Sequence, residues 1–141
     1  MSFMTIDIAR GTVTDKGGNF ISPGPTTASF KGPYVVMQDA CGPSKLITQT
    51  GLDILWGGGA GTDCDTPGFG GLGNTHASRT GFHELNKMME LARSHLPTNP
   101  WLKRPLTAEV NNGFIPCDAS YSGNANKIVF SKSTRENEAV Q

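Results

Sequence analysis

His83-Glu84-Leu85-Asn86-Lys87 comes within one residue of the His-Glu-x-x-His pattern with which a helix holds a zinc ion. That pattern works because side chains at i and i+4 leave one helix face and can meet a single cation, while the glutamate acts on a bound water. Lys87 stands where the second imidazole belongs, and an ammonium repels a dication. The spacing therefore predicts an amphipathic helix with no metal ligand and no catalytic residue on it. Phe82, Leu85, Met89, Ala92 and Leu96 recur every three or four residues and form a stripe toward a core, leaving His83, Asn86, Lys87, Glu90 and Arg93 mostly toward water. Glu84 with Lys87, and Glu90 with Arg93 or Ser94, read as surface neighbours. Thr75 or Ser78 can cap the start, and Pro97 stops the helix.

Other groups of reactive residues carry less. Cys41, Cys64 and Cys117 are the three cysteines and form no Cys-x-x-Cys pair, so neither a zinc ribbon nor a redox pair is indicated. Cys41 and Cys64 lie in glycine-rich loops flanking an apolar segment; they form a candidate disulfide in an oxidising compartment, or all three remain thiols. Gly68-Phe69-Gly70-Gly71-Leu72-Gly73 is a literal G-x-G-x-x-G. A dinucleotide site needs a strand directly before that run and a helix opening from it. Here Asp63-Cys64-Asp65-Thr66-Pro67 precedes it and the helix starts several residues late, which argues against nucleotide binding. Asp53, Asp63 and Asp65 lack the ligand spacing and closing glutamate of a calcium loop and read as Asx turns. His76 and His95 sit at opposite ends of the helix, too far apart to share an ion locally.

The elements around these residues read as an α+β chain. Short β-rich runs, FMTIDIA, GTVTD, NFISP, TTASF, PYVVMQ and KLITQ, alternate with turn residues in a module spanning 1–56, the pattern of a small antiparallel β-sandwich-like part. Residues 57–74 hold eight glycines and read as a Gly-rich loop or linker. Residues 75–131 supply one main helix, the turn Pro97-Thr98-Asn99-Pro100, and the strands PLTAEVN, CDASY and KIVFS, the last two forming a β-hairpin. Residues 132–141 form a polar tail.

Composition limits the function classes. Twelve basic and twelve acidic residues give no net charge, against a general affinity for nucleic acid or anionic membranes. No apolar run approaches the roughly 20 residues of a membrane span. MSFMTIDIARG carries Asp7 and no basic residue ahead of it, unlike a signal peptide.

The stretch Asn74–Phe130 resembles the part of secreted bacterial zinc metallopeptidases, of the fungalysin and thermolysin-like clan, that lies just ahead of their zinc helix. The likeness rests on His76-Ala77-Ser78-Arg79-Thr80-Gly81-Phe82 opening the helix, on Leu96-Pro97-Thr98-Asn99-Pro100-Trp101-Leu102 after it, and more loosely on the hairpin. In that family an Asn-Ala-Phe-Trp strand is an open sheet edge that pairs with the substrate backbone. The matching positions are Asp118, Ala119, Ser120 and Tyr121, of which three depart from the pattern, and the match leaves Cys117 without its family partner. In place of the His-Glu-x-x-His helix the chain continues as SKSTRENEAVQ. The resemblance thus implies an extracellular, non-catalytic metallopeptidase derivative without a cofactor. It would act in self-assembly or partner binding through exposed strand edges, for instance as a structural subunit. The alternative is part of a zinc-dependent secreted endopeptidase whose catalytic zinc helix lies outside this chain.

Overall fold

In the computed structural model, residues 5–7, 12–13, 15, 17–21, 25–48, 54, 64, 68, 70–115 and 118–132 are described. They form an α+β fold with one helix and a mixed four-stranded sheet. Cys117, Asp53, Asp63, Asp65 and most of the polar tail lie outside the described residues.

The first sheet is antiparallel. Strands β1 (Thr5–Asp7), β2 (Thr12–Val13), β3 (Thr26–Ser29) and β5 (Leu46–Thr48) run in the order β2-β1-β3-β5. The NFISP run supplies no strand over Asn19–Ile21. Instead Asp15 Oδ1 accepts from the main-chain N–H groups of Gly17 and Asn19, both at 2.8 Å, an Asx turn that diverts the backbone from a ladder.

The second sheet contains β4 (Val35–Asp39), β6 (Leu106–Asn112), β7 (Ala119–Ser122) and β8 (Lys127–Ser131), in the order β4-β6-β8-β7. β4, β6 and β8 are parallel, and β7 pairs antiparallel with β8 at the edge. Strand β4 belongs to this sheet although the sequence groups it with the N-terminal strands. A parallel neighbour requires a long crossover, and helix α1 (His76–His95) supplies it between β4 and β6.

Thr75 caps α1, its Oγ1 accepting from Ser78 N–H at 3.1 Å, and the last turn closes through Leu96 N–H to Ala92 O. The buried face is Ser78, Phe82, Leu85, Asn86 and Met89. Two expectations are corrected. Leu96 is exposed, because the chain leaves the helix there, and Asn86 is buried, its amide donating to Phe82 O at 2.6 Å. Arg93 is half-buried, its guanidinium 4.2 Å above the Tyr34 ring.

The core lies between α1 and one face of the second sheet, where Phe82, Leu85 and Met89 meet Val35, Met37, Leu106, Ala108 and Val110. Phe30, directly after β3, closes it, 5.5 Å from Phe82 between ring centroids. Gly81 lets the helix approach closely, since a Cβ there would lie 3.1 Å from Met37 Cε. The following 3-10 turn (Pro100–Lys103) buries Leu102 against the same core and presents Trp101 toward β7.

Candidate functional site

The near-zinc pentapeptide lies on open helix surface. His83 Nε2 is 3.6 Å from Glu84 Oε1, and Lys87 Nζ is 3.3 Å from Glu84 Oε2, all on side chains more than half exposed. Among the described residues no three His, Cys, Asp or Glu side chains gather as a metal site. The donors among the described residues therefore do not form a zinc site.

The four positions matched to the substrate strand, Asp118, Ala119, Ser120 and Tyr121, are together and exposed along β7 and its entry. Ser131 N–H donates to Asp118 O, and the register continues Ala119 with Phe130, Ser120 with Val129 and Tyr121 with Ile128. In an antiparallel pair, hydrogen-bonded residues alternate with non-bonded ones. Asp118, Ser120 and Ser122 therefore turn their main chain to β8, while Ala119 and Tyr121 turn theirs to the outer edge. Among the described residues no strand covers that edge.

Tyr121 is held from behind. Its hydroxyl accepts from Trp101 Nε1 at 2.7 Å and donates to Asn126 Oδ1 at 3.4 Å, with the Trp101 and Tyr121 rings edge to face. Asn126, at φ 48°, ends the hairpin turn and donates through Nδ2 to Pro105 O at 2.9 Å. This chain of contacts ties the hairpin to the segment between α1 and β6. Asp118 Oδ1 accepts from Ala119 N–H at 2.7 Å, covering one of the outward donors.

A second polar centre, absent from the reading of the sequence, lies where β4 and β6 end and α1 begins. The Asp39 carboxylate accepts from Thr75 Oγ1 (2.6 Å) and Ser78 Oγ (2.5 Å) through Oδ2, and from Cys41 N–H (2.9 Å) and Asn111 Nδ2 (3.0 Å) through Oδ1. Asn111 reaches inward because β6 is irregular between Glu109 and Asn112 and Asn111 adopts φ 58°. That bulge buries the consecutive residues Val110 and Asn111, which regular alternation would send to opposite faces. The Asn111-Asn112-Gly113 run, whose residue types favour the left-handed region, is the signal that could have located it. Nothing in the local sequence marks Asp39 as its acceptor, because its side-chain partners Thr75, Ser78 and Asn111 lie 36 to 72 positions away and only the Cys41 N–H is local.

The Cys41–Cys64 disulfide, spanning 23 positions, borders this centre. The glycine run has a packing role there. A Cβ on Gly73 would lie 1.9 Å from Gly42 O, and Gly70 and Gly71 adopt φ 88° and 117°. Gly70 O also accepts from Lys45 N–H, at 3.3 Å. The last glycine of the G-x-G-x-x-G thus serves a close backbone approach. Between this loop, β3 and β4 lies a cleft of about 540 Å³, with Lys31, Met37, Asp39, Ser44 and Lys45 in its lining.

No protein-family model matches the chain, and no curated protein or solved structure matches it. Among the described residues, no helix is long and apolar enough to cross a membrane.

Proposed function

We propose that this chain is a non-catalytic, metallopeptidase-derived protein that acts in self-assembly or partner binding through the free edge of β7, as an extracellular structural subunit. The observation that carries the reading is the edge itself. β7 is exposed along its length, its outward main chain has no partner strand among the described residues, and Trp101 braces it through Tyr121. An unpaired strand edge offers an extended protein segment main-chain hydrogen bonds, with affinity independent of particular side chains. The Cys41–Cys64 disulfide supports an oxidising, extracellular setting.

A second reading, part of a secreted zinc endopeptidase whose zinc helix lies elsewhere, draws support from element order. Helix α1, the Trp101 turn, β6 and the hairpin follow one another as the resemblance implies. In that reading Asp118–Tyr121 would pair with substrate and zinc would be the cofactor.

Sedimentation velocity across a wide protein concentration range, with residue-resolved hydrogen exchange, tests the first reading. The mass should rise with concentration while the Tyr121 amide slows. A strictly monomeric chain with unchanged exchange would overturn self-assembly. Stoichiometric zinc and casein hydrolysis by the protein purified from its native source, with whatever segment or chain accompanies it there, would replace this reading with the second.

A further inference from the structure

Strand β7 is complementary to itself. Its free edge presents the N–H and C=O groups of Ala119 and Tyr121, separated by Ser120, whose main chain faces β8. If a second β7 is laid antiparallel about a two-fold axis at Ser120, Ala119 of each copy falls opposite Tyr121 of the other. Each of those two pairs can exchange two N–H to O=C bonds, giving four in all. The Ala119 N–H has only to leave its exposed contact with Asp118 Oδ1.

Side chains agree with this register. Asp118 falls opposite Ser122 of the other copy, so no like charges meet. Ala119 and Tyr121 share one face, where Trp101 extends the apolar surface beside the new strand pair. From Ala119 to Ser122 the strand contains no lysine, arginine, proline or bulge, the features with which proteins keep sheet edges apart.

We infer that two copies of this chain associate isologously through β7, joining their second sheets into one continuous eight-stranded sheet (four strands from each copy). This rests on the edge-binding reading above and names its occupant, a second copy, and its register.

Ser120 supplies the test, because only this two-fold places it opposite itself and its side chain is exposed. Full-length Ser120→Lys and Ser120→Glu variants, checked for unchanged circular dichroism, are compared with the parent by sedimentation equilibrium. The parent should form a dimer. Each variant alone should dissociate roughly fivefold more readily, from like charges held directly opposite. An equimolar mixture should regain dimer as a Lys–Glu heterodimer. If the parent associates with a slowed Tyr121 amide but mixing restores nothing, the two-fold register is overturned while edge binding stands. If the parent never associates, both fall.

Discussion

Trp101 Nε1 donates a 2.7 Å hydrogen bond to the hydroxyl of Tyr121, joining the turn after α1 to the edge strand β7. The Tyr121 hydroxyl in turn donates to Asn126 Oδ1, so one oxygen links the turn after α1, the edge strand and the hairpin turn. Tyr121→Phe should cost about 1 kcal/mol, the usual net value of such a bond, measured by urea denaturation. Hydrogen exchange in β7 should quicken more than in β6.

Asp39 holds the end of β4 to the start of α1. Asp39→Ala should cost about 3 kcal/mol, because the fully buried Thr75 and Ser78 hydroxyls lose their common acceptor. Asp39→Asn, which keeps the shape and one acceptor oxygen, should cost less. Equal losses from the two variants by chemical denaturation would show that the carboxylate's charge and second acceptor oxygen, rather than side-chain volume, matter there.

Glu109 gives the second sheet a pH response. Its carboxylate hydrogen-bonds the Lys127 ammonium and accepts from Asn112 Nδ2 at 2.5 Å, and these hold its pKa below the ordinary value near 4.5, against the opposing effect of burial. A depressed folded-state pKa contributes stability that is fully present above about pH 4.5 and is lost as pH falls through the folded value. Glu109→Gln should remove that part of the acid dependence, read as a flatter melting temperature below pH 4.5.

The disulfide should stabilise by restricting the unfolded chain. For a loop of 23 positions the entropy model gives about 3 kcal/mol. The reduced protein and the double variant Cys41→Ser, Cys64→Ser should lose similar amounts in guanidinium denaturation.

Two glycines should respond very differently to a methyl group. Gly73→Ala drives a Cβ into the Gly42 carbonyl and should cost more than about 2 kcal/mol, whereas nothing lies within 4 Å of a Cβ on Gly113. Gly113→Ala should leave the thermal midpoint within about one or two degrees of the parent.

The sequence by itself determined the local elements. The apolar spacing of Phe82, Leu85 and Met89, with Thr75 before and Pro97 after, specified α1, because helix formation and capping depend on residues three or four positions apart. Strands β3 to β8 fall on the runs TTASF, PYVVMQ, KLITQ, PLTAEVN, CDASY and KIVFS, because β-prone residues bounded by turn residues are also a local signal, and Lys87 already disqualified the zinc pair. Tertiary structure alone decided how these pieces meet. Local pattern does not show that β4 would join β6 in parallel, since that pairing spans 71 positions from Val35 to Leu106. The Asp39 centre needed that pairing, the helix start and a bulge at once, so no single stretch of chain contains it. The edge at Asp118–Tyr121 lies between these cases. Its strand was legible in the residues, but its exposure was set by β8 taking the inner place in the sheet, which leaves the outward groups of Ala119 and Tyr121 without a partner strand among the described residues.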